Sequence, residues 1–94
     1  MTTTHRMEQE ILGEMLLSNA AIDVAASEGL LADHFHHPAH RMIFDRVLDL
    51  HRRGHPADPV TVAMELHRNG DLFPAGGAAY LHTLISTVPP KDSL

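Results

Sequence analysis

Residues that stop or open helices recur at short intervals along this chain: Gly29, Pro38, Gly54, Pro59, Gly70, the pair Gly76-Gly77 and the pair Pro89-Pro90. Between them the apolar residues fall at three- and four-residue spacings, with no alternation long enough to make a useful strand. Each segment can therefore form one short helix. The fold class is all-α, a compact crossed bundle of five to six short helices, because short connections and unequal helix lengths favour crossed over parallel packing. At 94 residues the chain suits a single domain with one core, and a hydrophobic content of 44% can fill that core.

The spacing of Met7, Ile11, Leu12, Met15 and Leu16 predicts an amphipathic helix from Met7 to Leu17, with Glu8, Glu10 and Glu14 on its other faces. Gly13 inside it costs about 1 kcal/mol against alanine, so a closely approaching neighbour helix is the reason expected for it. Ser18 and Asn19 are cap-type residues before a second short helix, Ala20 to Ser27, that ends at Gly29. In the connector Leu30 to His37, Asp33 is expected to cap one tight turn that places Phe35 in the core. Pro38 opens a third helix running to Arg53, with Ile43, Phe44, Val47, Leu48 and His51 as its buried stripe. Asp58 as N-cap and Pro59 as first residue open the next helix, which turns Val62, Ala63 and Leu66 inward and ends at Gly70. After a linker from Asp71 to Ala75, Gly76-Gly77 lead into a last helix, Ala78 to Thr87, carrying Leu81, Leu84 and Ile85, with Val88 after it.

The formal charge is -5, and Arg41, Arg46, Arg52 and Arg53 share a segment with Asp45 and Asp49. That pattern suits helical ion pairs such as Asp49 with Arg53 better than a phosphate track, so no direct nucleic-acid contact is expected. Absence of cysteine excludes disulfides and thiolate chemistry. No apolar run approaches a membrane span and no secretory h-region follows Met1 to Arg6, so the expected location is cytoplasmic, without membrane contact.

Nine histidines, four of them at His34, His36, His37 and His40, raise the question of a metal site, with Asp33 as an oxygen ligand. Pro38 interrupts the helical register between His36 and His40, so two imidazoles cannot share a face there and no metal is expected. Asp45 and Asp49, one turn apart among arginines, read as a solvated ion-paired face rather than an acid/base pair. No catalytic residues and no cofactor are expected. Gly76-Gly77 read as a turn that packs the last helix rather than as an anion site. Three residues are candidate partner contacts. Tyr80, the sole tyrosine, suits either a half-buried docking position or a core edge, and Leu72 and Phe73 lie in a loop that cannot readily bury its apolar side chains.

Four motifs in register carry a resemblance. Glu8-Gln9-Glu10-Ile11-Leu12-Gly13 comes first, then Phe35 with Pro38-Ala39-His40 and Ile43-Phe44. Asp58 with Val60-Thr61 and Leu66 follows, then Gly76-Gly77 with Tyr80-Leu81 and Leu84, before a Val88-Pro89 exit. In this order the chain resembles the N-terminal domain of DnaB-type bacterial replicative DNA helicases. The resemblance implies a flexible lead at 1–6, the helical domain at 7–90, and a tail at 91–94 that would begin a linker toward a helical hairpin and an ATPase domain outside these residues. It implies a helical module without catalytic activity, at the front of a hexameric ATP-driven helicase. Such a module would help to build the collar of the ring and dock the C-terminal domain of primase, with a helicase loader as a further partner. His40 would then have a structural role, its ring bonding to nearby backbone. Ala57 and Pro59 depart from the family's aliphatic residues on either side of the capping aspartate, which implies looser packing there. No G-x-x-x-x-G-K-[ST] loop is present, so ATP and Mg would belong to the missing helicase domain. The alternatives are a stand-alone adaptor or loader-like protein with the same fold, and a histidine-based metal-binding protein or hydrolase.

Overall fold

In the computed structural model, residues 3–88 are described. They form five α-helices and a single 3-10 turn: α1 (Thr3–Leu17), α2 (Asn19–Ser27), the turn Ala32–His34, α3 (Pro38–Arg52), α4 (Pro59–Arg68) and α5 (Ala78–Ser86). Helix α1 starts at Thr3, four residues ahead of the expected Met7, and so takes in most of the predicted lead. The expectations for 89–94 lie outside the described residues.

Local chemistry explains the boundaries. Ser18 caps α2, its hydroxyl accepting from the Ala21 amide at 3.4 Å, and Asp58 caps α4 through the Thr61 amide at 2.7 Å. Both α3 and α4 carry proline at their first position. Asp33 does not cap its turn. The His34 ring does so instead, Nδ1 accepting from the Leu31 amide at 2.9 Å, and Phe35 reaches the core as expected.

Helix α1 packs on α5, α5 on α4, α4 on α3 and α3 back on α1, closing a ring of helices, while α2 lies against α1 and α3. Leu12, Phe35, Ile43, Phe44, Val47, Val62, Leu66, Leu81 and Leu84 fill the interior. A radius of gyration of 12.4 Å is that of one well-packed domain of this length. Gly13 sits where α1 meets α5: a Cβ there would collide with the Leu84 carbonyl oxygen and lie 2.7 Å from Val88 Cγ2, so the close approach inferred from the sequence is real.

Two inward assignments differ from expectation. Met7 is exposed, and Glu8 and Gln9 are buried in its place. His51 is at the rim, its Nε2 2.7 Å from Asp23 Oδ1 and linking α3 to α2, while the neighbouring Leu50 takes the buried position. Ala57, beside the capping Asp58, is buried.

Candidate functional site

The most organised polar feature is a chain of side chains through the interior. Glu8 and Gln9 enter from α1, His40 from the first turn of α3 and Tyr80 from the first turn of α5. His40 is 0% exposed. Its Nδ1 is 2.7 Å from Glu8 Oε1 and its Nε2 is 2.5 Å from the Tyr80 hydroxyl, which also accepts from Gln9 Nε2 at 3.2 Å.

The proton order follows from the carboxylate, which can only accept. His40 therefore donates through Nδ1, its Nε2 accepts from the Tyr80 hydroxyl, and the tyrosine oxygen accepts from Gln9. Each joint pairs one donor with one acceptor. Glu8 also receives the backbone amides of His36, at 2.7 Å, and His37, at 3.4 Å. These stand at the start of α3, where no side chain of the helix itself caps and the helix dipole favours an anion. Burial alone would raise the Glu8 carboxyl, but the His36 amide, the His40 ring and the His37 amide together hold it below the ordinary carboxylate value. Burial pushes His40 below the usual histidine value, against the pull of Glu8 and with the help of nearby His37 and His5. Both shifts favour the same state, charged Glu8 beside neutral His40.

Carboxylate, imidazole and hydroxyl also follow one another in hydrolytic triads. Here the hydroxyl is a phenol held by two partners and the imidazole is sealed from solvent, so the arrangement ties α1, α3 and α5 together. His40 bonds side chains, where the sequence reading expected backbone. The rings of His5, His37 and His40 lie with centroids 4.3 to 5.2 Å apart. Among the described residues no group of three or more His, Cys, Asp and Glu side chains is placed to hold a metal ion.

Tyr80 is half-buried with its polar tip turned inward, stacked on His40 at a centroid distance of 5.8 Å. Gly76, in the left-handed region at φ 107°, makes room for that ring: a Cβ there would lie 2.9 Å from Tyr80 Cβ. Replacing Tyr80 would therefore disturb the interior before it tested a surface. The loop residues separate: Leu72 packs partly against the core, whereas Phe73 is 92% exposed. Leu72 also lines a shallow apolar hollow with Ala63 and Met64 of α4. Val60, one turn before Met64, is exposed as well, so α4 and the loop after it present an apolar patch. On α3 Asp49 pairs with Arg53 at 2.9 Å, as expected, and with Arg46 at 3.6 Å, whereas among the described residues no ion pair reaches Asp45.

Sequence reasoning missed Glu8 and Gln9. The signal was positional: Glu8 stands one turn before Leu12 and two before Met15, on the buried stripe, and Gln9 stands one turn before Gly13.

The family described as DnaB-like helicase N terminal domain matches residues 2–94. The replicative DNA helicase DnaB of Mycobacterium leprae is 59% identical over 83 residues, a stretch covering 87% of this chain and 13% of that protein. The replicative DNA helicase DnaB of Geobacillus stearothermophilus is 43% identical over 82 residues, covering 87% of this chain and 18% of that protein. The crystal structure of the N-terminal domain of DnaB helicase from Mycobacterium tuberculosis superposes with a TM-score of 0.84 at 56% identity, over 89% of this chain and 58% of that one. The chain thus spans less than a fifth of the length of these two curated relatives.

Proposed function

The chain belongs to the family of DnaB-like helicase N-terminal domains, and from that membership we propose that it is the non-catalytic assembly and docking domain of a replicative DNA helicase. It contributes to the collar of a hexameric ring and offers a surface to the C-terminal domain of primase, with a helicase loader as a further partner, in the cytoplasm. The observation that carries this reading is the 59% identity over 87% of the chain to a replicative helicase of which that stretch is only 13%. Nucleotide chemistry with ATP and Mg falls to the remainder of such a protein, since no phosphate loop occurs in these 94 residues.

Two features support a docking role. The buried chain from Gln9 to Glu8 fixes three helices relative to one another, giving a rigid body on which surface residues hold their places. The exposed Phe73, Met64 and Val60 provide apolar surface of the kind that partners cover. A formal charge of -5, with Arg46 and Arg53 engaged by carboxylates, supports assigning DNA contact to other parts of the protein.

Native mass spectrometry of the full-length protein, beside the same protein shortened to begin after residue 94, tests the collar role. Hexamers that lose integrity in the shortened form, with ATP hydrolysis per subunit retained, are the expected result. An unchanged distribution of oligomers would contradict it.

A further inference from the structure

A second hollow lies on the side of α1 that faces α2. It has a volume of about 410 Å³, a floor of Ile11, Met15, Val24 and Leu30, and a rim that includes Glu14 and Glu28. On α1 the lining residues point away from Gly13: at about 100° per residue, Ile11, Glu14 and Met15 stand between about 100° and 200° around the helix from it. The α5 contact and Val88 are therefore on the far side of α1, and a segment leaving α5 starts away from this groove. Val24 is 54% exposed, and Met7, one turn before Ile11, extends the apolar strip at 56% exposure.

Charge decides the occupant. Among the described residues no ion pair reaches Glu14 or Glu28, whereas Glu10 and Asp49 have arginine partners. The remaining ionisable group at the groove is His34, whose Nδ1 already accepts from the Leu31 amide. A second copy of this chain docking groove to groove would bring the same carboxylates face to face, and an acidic peptide or an anionic lipid surface would also be repelled. An apolar floor open between two helices, with anionic groups at its edge, matches one recurring ligand form, the amphipathic helix laid into a groove by its apolar side chains. We propose that the groove between α1 and α2 binds a short basic amphipathic helix of a partner protein, its aliphatic or aromatic anchors on Ile11, Met15 and Val24 and its Lys or Arg residues against Glu14 and Glu28. The inference rests on the reading of the chain as a docking domain and assigns that role a second surface, distinct from the one around Phe73.

The test is selection of random peptides displayed on phage against this chain, followed by titration of the enriched sequences as synthetic peptides. The expected sequences carry apolar residues one helical turn apart with Lys or Arg beside them, and become helical on binding. Val24→Glu, at an exposed position where a charge does not disturb the core, abolishes their binding with the far-ultraviolet circular dichroism unchanged. The Glu14→Gln, Glu28→Gln double variant keeps the shape of the groove, weakens binding by about tenfold and flattens its dependence on salt. Failure to enrich any peptide, enrichment of acidic or unpatterned ones, or undiminished binding to Val24→Glu would overturn the proposal. None of these results bears on whether primase docks elsewhere on the domain, so the two readings fail separately.

Discussion

Gly13→Ala sets two physical effects against each other. Alanine improves helix propensity by about 1 kcal/mol at an interior position, so a helix considered alone is stabilised. The added methyl would overlap the Leu84 carbonyl oxygen and stand 2.7 Å from Val88 Cγ2. The first neighbour is backbone in α5 and cannot rotate away, so α5 must move from α1 or the helix must bend. Overpacking of this kind costs about 1 to 3 kcal/mol, and a backbone obstacle places it at the upper end. The net effect is destabilisation by about 2 kcal/mol, which lowers the Tm of a domain this size by about 8 to 16 °C. Thermal unfolding followed by circular dichroism at neutral pH, with wild type and variant side by side, measures it. An unchanged or raised Tm would show that α1 and α5 are not in close contact at Gly13.

The buried chain gives two further expectations. Glu8→Gln leaves one oxygen for donors that now meet both ends of a carboxylate and turns an amide hydrogen toward them, so stability falls by about 2 to 3 kcal/mol; chemical denaturation measures it, and a loss within error would mean that the carboxylate does not hold the start of α3. His40 has a folded-state pKa below its unfolded value, so the unfolded chain takes up its proton first and stability declines as pH falls below about 6.5. Glu8, also depressed when folded, adds stability above its unfolded pKa that is lost at more acid pH as its own folded pKa is passed. Ring nitrogen resonances of His40 should report a neutral imidazole protonated at Nδ1 at pH 6.5. A ring protonated at both nitrogens at that pH would make Nε2 a donor to the Tyr80 hydroxyl and so contradict the direction assigned to that bond, the bond to Glu8 being unchanged.

Elements whose ends are written in backbone chemistry were legible in the sequence. Pro38 and Asp58-Pro59 set the starts of α3 and α4, and Gly13 marks a close approach by a neighbouring helix, which the structure identifies as α5. Legibility failed where a polar residue is buried because a partner distant in sequence satisfies it. Glu8 looked like a solvated carboxylate because nothing local indicates that His40 and the His36 amide will meet it. Likewise His51 resembled a core position by periodicity, but Asp23 on another helix gives it a reason to remain at the rim. Tyr80 was legible as amphipathic, but the direction of its hydroxyl was not, since it depends on Gln9, 71 positions earlier. The docking surfaces are shape and exposure rather than motif, and only the structure separates Phe73 from Leu72.

Calorimetric titration of this chain with the C-terminal domain of primase from the same source, repeated with Phe73→Ser, addresses the docking role most directly. Phe73 is 92% exposed, so the substitution leaves the core intact and a change in affinity reports the surface. Saturable binding that weakens by about tenfold or more in the variant is the expected result. Binding indifferent to Phe73 would move the site elsewhere on the domain, and absence of binding at high concentration would contradict primase docking by these 94 residues.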